Sequence, residues 1–196
     1  MSRPVCARCL RPQRACICAW ITPLAPAVEV VILQHPLEAS QAKGSARLLH
    51  LSLEHSRIVT GECFDEAQLR ALLYAPPRQP VLLYPDHADG APPLAADLRD
   101  APQRLRLIVL DGTWRKSRKM LYANPLLQGL PRLPLHDLPP SHYAIRKAHR
   151  PDQLSTLEAT CHALAQIEGD AQRYVPLLRA FDGFVGQQRA FQCGPP

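Results

Sequence analysis

Apolar residues in this chain come in short runs, and the runs alternate between two periods. Residues 28–33 (Val-Glu-Val-Val-Ile-Leu) are a nearly continuous β-branched stretch, which predicts a buried strand of a parallel sheet. Residues 81–84 and 104–110 read the same way. The first is stopped by Pro85, and the second ends abruptly at Asp111-Gly112. Helical spacing predicts helices over 46–55, with Leu48, Leu49 and Leu53 apolar, over 65–73 behind an acidic first turn, and over 113–122, closed before Pro125. Two more follow near the C-terminus. Residues 155–168 carry Leu157, Cys161, Leu164 and Ile167 and are closed by Gly169, and residues 172–189 carry Leu177, Leu178, Phe181 and Val185.

Strands alternating with helices predict an α/β fold with a mainly parallel sheet flanked by helices. Such sheets bind ligands beyond the carboxyl ends of their strands. That rule singles out Gln34-His35-Pro36, Tyr84-Pro85 and Asp111-Gly112-Thr113-Trp114.

Composition narrows the class. The 196 residues suit one α/β domain, here 25–196, behind a small module, 1–24. A hydrophobic fraction of 46% is enough for a real core, and the 21 prolines gather in connections. The formal charge of +6, from 23 basic and 17 acidic residues, leans towards a polyanionic partner. No apolar run reaches signal-peptide or membrane length, so a soluble cytoplasmic protein with no membrane partner is expected. No exposed apolar helix in the pattern demands an oligomer.

The first eighteen residues change the picture. Cys6, Cys9, Cys16 and Cys18 stand as C-x-x-C, six intervening residues, then C-x-C. In a reducing compartment a tight cluster of four thiols suits a soft divalent metal, zinc first, held tetrahedrally by two turns. A redox pair is the rival reading, and the tight second arm departs from the commoner spacing. Arg3, Arg8, Arg11 and Arg14 surround the cluster, which predicts a basic knuckle at the surface.

Chemistry-bearing residues lie where the strands stop. In Asp111-Gly112-Thr113-Trp114 a carboxylate, a residue free to take unusual dihedrals, a hydroxyl and an indole open a basic helix, Arg115-Lys116-Ser117-Arg118-Lys119. Asp111 reads either as a helix cap or as a catalytic carboxylate, and the basic run either as a solvated face or as a phosphate-binding one. Lys43-Gly44-Ser45-Ala46-Arg47 opens the helix over 46–55 with backbone N–H groups that suit an anion. Ser155 and Glu158 make a capping box with Thr156 between them, downstream of Tyr143, Arg146 and Lys147. No dinucleotide fingerprint, Walker loop, G-x-S-x-G elbow or H-E-x-x-H helix is present, which argues against Rossmann oxidoreductases, P-loop enzymes and common hydrolases.

These segments, in this order, resemble the DTW-domain family. The resemblance runs through the cysteines, Gln34-His35-Pro36-Leu37-Glu38, Gly44-Ser45-Ala46-Arg47-Leu48-Leu49 and Leu83-Tyr84-Pro85. It continues through Leu110-Asp111-Gly112-Thr113-Trp114, Tyr143-Ala144-Ile145-Arg146-Lys147 and Leu154-Ser155-Thr156-Leu157-Glu158-Ala159. Ser45, where threonine is expected, and the longer link through Ala148-His149-Arg150-Pro151 are departures.

The resemblance implies a SPOUT-related scaffold with a chain knot. It implies a tRNA-uridine aminocarboxypropyltransferase that moves the 3-amino-3-carboxypropyl group of S-adenosylmethionine to N3 of a tRNA uridine and releases methylthioadenosine. It implies zinc on the four cysteines, in a module that is structural or RNA-contacting. Asp111, with Thr113 and Trp114, would be catalytic. The co-substrate would meet Gln34, His35, Pro36, Leu83, Tyr84, Pro85, Leu110, Gly112, Tyr143, Ile145, Arg146, Ser155, Thr156 and Glu158. The tRNA would meet Arg115, Lys116, Arg118, Lys119 and Lys147. An RNA methyltransferase on the same scaffold and a non-catalytic zinc-knuckle RNA-binding protein are the alternative readings.

Overall fold

The computed structural model describes residues 4–85, 92, 101–135 and 154–191. Among the described residues five strands form one sheet: β1 (Glu29–Gln34), β2 (Ser56–Thr60), β3 (Gln79–Leu83), β4 (Leu105–Asp111) and β5 (Arg132–Leu133). All are parallel, in the order β2-β1-β4-β3-β5. The helices are α1 (Pro36–Ala39), α2 (Ala46–Ser52), α3 (Glu66–Tyr74), α4 (Trp114–Ala123), α5 (Pro125–Gln128), α6 (Thr156–Glu168) and α7 (Val175–Ala190). Among the described residues no helix is long and apolar enough to cross a membrane.

The strand period of two splits the apolar residues between two cores. Val30 and Ile32 of β1 and Leu105, Leu107 and Val109 of β4 pack with α2, α6 and α7. Val31 and Leu33 with Ile108 and Leu110 pack with α3, α4 and α5. Both faces are therefore covered, which is why β1 and β4 read as continuous apolar runs.

The predicted helix over 46–55 ends at Ser52, because the chain turns there into β2, a strand the pattern over 56–60 does not announce. Its residues are half-buried or exposed, as suits a sheet edge. β5 is likewise unannounced: it is two residues long and sits between prolines. Ser155 caps α6 through the full capping box, and Gly169, at φ 67°, closes that helix.

The N-terminal segment grips this body at two places. Trp20 Nε1 donates to Gln187 Oε1 at 2.8 Å, and Gln187 Nε2 donates to the Cys16 carbonyl at 3.0 Å. Gly183 of α7 lies beneath the indole: a Cβ there would fall 2.1 Å from Trp20 Cζ3, so only glycine allows this approach. Leu24 bridges to Leu53 in parallel, its N–H donating to the Ser52 carbonyl at 2.7 Å.

At the amino edge of the sheet Glu29 and Arg106 are register partners on adjacent strands. Arg106 Nε and Nη2 both donate to Glu29 Oε2, at 3.0 and 2.7 Å, and its Nη1 donates to the Leu73 carbonyl at 2.7 Å. Arg78 and Arg57 flank the same carboxylate at 3.5 and 3.6 Å. Glu29→Ala leaves the buried guanidinium without its counter-charge, so a loss of about 3–5 kcal/mol is expected in denaturant unfolding. An unchanged midpoint would show that the arginines need no carboxylate.

Candidate active site

After β1 the chain turns onto the α2 face, and after β4 it turns onto the α4 face. The two departures open a crevice at the carboxyl ends of β1 and β4, the switch point where doubly wound sheets bind ligands. The last residues of these strands, Gln34 and Asp111, are register partners there.

Alternation puts both on the α6 face. Gln34 Nε2 donates to Asp111 Oδ2 at 2.9 Å, and Thr156 Oγ1, from the first turn of α6, donates to Oδ1 at 2.6 Å. The His35 N–H donates to the Asp111 carbonyl at 2.9 Å. The carboxylate is thus oriented from both sides and is only 5% exposed. It is not the helix cap. β4 runs through Asp111 and α4 begins at Trp114, so the cap is Thr113, whose hydroxyl accepts the Lys116 N–H at 3.4 Å.

Gly112 needs no unusual dihedral, since Gly169 is the glycine of positive φ among the described residues. Its role is close approach: an added Cβ would meet Lys116 Cβ at 3.0 Å and Ser117 N at 3.4 Å.

Trp114 stacks on Tyr84 with centroids 5.2 Å apart and planes 15° from parallel. Tyr84 is buried, held under the Arg132 guanidinium at 5.3 Å, while Trp114 is 51% exposed. A fixed ring beneath and an exposed indole above make a platform for a flat heterocycle. Arg132 also donates to the Pro85 carbonyl at 3.3 Å.

His35 caps α1, its Nδ1 accepting the Leu37 N–H at 3.2 Å, with Pro36 in the first turn. That bond leaves Nε2–H to donate to Glu62 Oε2 at 2.7 Å, and Lys119 Nζ reaches Oε1 of the same carboxylate at 2.7 Å. Lys119, then His35, hold the Glu62 carboxyl below the usual carboxylate range. His35, Glu62, Thr113, Lys116 and Lys119 line part of a cavity of about 300 Å³. Lys116 Nζ binds the buried Glu38 at 2.8 Å.

The remaining expected residues divide. Leu110 belongs to the core on the α4 face, and Leu83 packs against the other. Ser155 and Glu158 serve the capping box of α6, with Ser155 N donating to Glu158 Oε2 at 2.8 Å. Tyr143, Ile145, Arg146 and Lys147 lie outside the described residues, as does Arg3. The Gly44 N–H, expected to face an anion, donates instead to the Gln41 carbonyl at 2.9 Å.

The four N-terminal thiols do converge. Cys6 and Cys18 Sγ are 3.7 Å apart, Cys9 and Cys16 Sγ 3.8 Å, and all four lie within 4.8 Å of one another. A tetrahedron with metal–sulfur bonds of about 2.3 Å has edges of about 3.8 Å, so the donor set fits zinc. None of the four is in a disulfide. Backbone N–H groups of Cys9 and Arg8 hold the Cys6 thiol down to about 6, while burial pushes Cys18 up to about 12. A bound cation would have to displace the protons that remain. Arg8 and Arg14 are exposed beside the cluster. Arg11 is not, because it turns inward over the Phe184 ring at 5.3 Å.

The DTW domain family matches residues 3–189. The chain belongs to the DTW-domain family. It is 32% identical to tRNA-uridine aminocarboxypropyltransferase 2 of Drosophila melanogaster over 90% of its length and 72% of that protein's. Proteins of the same name from Macaca fascicularis and Mus musculus are 30% and 31% identical over 95% of this chain, which spans 64% of each. No solved structure matches.

In this DTW domain the pattern of strands and turns did not point to Glu62 or Arg132. Glu62 follows β2, an edge strand of mixed exposure, so no apolar run marks the strand end beside it. Arg132 opens β5, which proline hides.

Proposed function

We propose that this DTW domain is a tRNA-uridine aminocarboxypropyltransferase. The observation that carries the reading is the meeting of Gln34, Asp111 and Thr156 at the strand end three residues before Trp114, which stacks on Tyr84, in a chain about 30% identical to proteins of that name. When bound, S-adenosylmethionine supplies an electrophilic γ-carbon on a sulfonium: uridine N3 bonds to that carbon, its bond to sulfur breaks, and methylthioadenosine leaves.

The residues present suit that pair of substrates. Trp114 offers its exposed face to a purine or to uracil. Asp111, held by two donors, receives the N3 proton as the new bond forms. A sulfonium has several carbons open to attack, so orientation decides the product, and the Gln34 and Thr156 bonds fix where the base stands. Zinc on Cys6, Cys9, Cys16 and Cys18 is structural in this reading. The same reading includes a SPOUT-related scaffold, work in the cytoplasm, and a division into a metal module, residues 1–24, and a catalytic domain, residues 25–196.

The basic helix narrows as an RNA contact. Lys116 and Lys119 are engaged by Glu38 and Glu62, whereas Arg115 and Arg118 are exposed, with Arg118 over the Tyr122 ring. Arg115→Ala with Arg118→Ala is expected to lower the salt slope of tRNA binding by about 1–2, roughly 0.7–0.9 per phosphate contact. Lys116→Ala is expected to leave the slope alone. Filter binding across a salt series decides, and equal slopes in all variants would remove α4 from the interface.

Mass spectrometry of nucleosides from tRNA incubated with the protein and labelled S-adenosylmethionine tests the activity. Labelled aminocarboxypropyluridine with methylthioadenosine is the expected pair. Methyluridine with S-adenosylhomocysteine would make the protein a methyltransferase, and an unlabelled tRNA would leave it a binding module.

A further inference from the structure

The cysteine module and the Asp111 carboxylate sit at two ends of one chain of contacts. Inside the knuckle the Cys6 N–H donates to the Arg11 carbonyl at 2.8 Å, so the loop that carries the thiols also places Arg11. The Arg11 side chain leaves the knuckle and donates twice to the body, Nη1 to the Ala42 carbonyl at 2.5 Å and Nη2 to the Gly44 carbonyl at 3.0 Å. Arg47, one residue into α2, returns the contact by donating to the Arg8 carbonyl at 3.2 Å. Residues 42–47 are therefore held by the knuckle from both sides.

The next link is Ser45. It is buried, and its hydroxyl accepts the Leu157 N–H at 3.3 Å. Leu157 follows Thr156, which binds Asp111 Oδ1 at 2.6 Å. The backbone N–H of Leu157 lies in the first turn of α6, where helix N–H groups find no partner within the helix. Ser45 supplies that partner from 112 residues away. Its place depends on the carbonyls on either side of it, and Arg11 holds one of these directly.

The geometry points to Arg11 as a positioning residue that carries the state of the thiolate module to the catalytic carboxylate. With Arg11 in place, the turn at 42–45 presents Ser45 to α6, and α6 presents Thr156 to Asp111. Without it, the turn is released, α6 loses an N-terminal partner, and Asp111 loses the fixed position of one of its donors. The module then does more than stabilise the fold: its integrity sets how firmly Asp111 is held and, through it, the affinity for the co-substrate. That effect on affinity rests on the aminocarboxypropyltransferase reading, whereas the mechanical tie from Arg11 to Leu157 does not.

The experiment compares the wild type with Arg11→Ala, Arg11→Lys, Ser45→Ala and Arg11→Ala/Ser45→Ala. Zinc per chain, exchange of the Leu157 amide and the S-adenosylmethionine Kd from calorimetry are read on each. Arg11→Ala is expected to keep the zinc content of the wild type, to exchange Leu157 faster and to raise Kd by about fivefold, the lower end of coupling between sites and less than the loss expected when the Thr156 bond itself is removed. Arg11→Lys, able to meet one carbonyl but not to fork, should fall between. The double variant should lose less than the product of the single losses, since both cut one path. Unchanged Leu157 exchange with zinc retained would overturn the tie. Loss of zinc in both Arg11 variants would overturn it too, since Arg11 would then only hold the knuckle. Independent losses in the double variant would overturn the shared path. A wild type that does not bind S-adenosylmethionine would sink the proposed function, while the Leu157 exchange would still decide the tie.

Discussion

Asp111→Asn is expected to slow single-turnover transfer by about 10²–10⁴-fold, the range ascribed to a positioned proton acceptor, with the fold unchanged. Asparagine has the shape of aspartate but offers one acceptor oxygen and an NH₂ group. Gln34 Nε2 donates to one Asp111 oxygen and Thr156 Oγ1 to the other. One contact must therefore become donor against donor. Thr156 can relieve that by turning its proton away, so the strand end survives while the negative charge does not. Thr156→Val removes one donor and keeps the charge, so a much smaller loss, about tenfold, is expected for the value of one hydrogen bond. Rapid-quench assays with labelled co-substrate, with circular dichroism as a control on folding, separate the two. Full single-turnover activity and normal co-substrate affinity in Asp111→Asn would remove the proton-acceptor role.

A metal held by the four thiols should contribute strongly to stability, and its removal should show in melting. Cys9 and Ile17 are fully buried in the core that holds Phe184 and Val185, so the knuckle is part of the packing and not an appendage. Without a cation, four thiols within 4.8 Å of one another have no common partner. The apparent contribution of zinc in four-ligand peptides is about 10–16 kcal/mol. If only about 4 kcal/mol of that reaches this body, melting falls by about 8–16 °C. Chelator-treated protein and Cys9→Ser should both show that drop, with about one equivalent of zinc released from the wild type. A purified chain that carries no metal and melts the same with chelator would show that the cysteines only pack.

Several elements were legible because their signals are local. The buried strands announce themselves as β-branched runs, since helices cover both faces. The capping box of α6 and the glycine that closes it lie within one helix. The four thiols converge within eighteen residues, so their spacing alone brings them near. β2 was not legible, because an edge strand of mixed exposure has neither period clearly, and Glu62 was lost with it. The cap reading of Asp111 failed for a positional reason: the strand runs one residue further than its apolar run.

Sequence alone thus determined the fold class, the four thiols that could hold a metal and the polar strand ends where the candidate site lies. It did so because burial period, cap chemistry and ligand spacing act over a few residues. Only the tertiary structure decided that Gln34 and Thr156 meet one carboxylate, that Lys116 and Lys119 already have acidic partners, and that Arg11 faces inward. Those contacts join residues at least 31 positions apart. Sheet order and helix crossings set such separations, and no local pattern carries them.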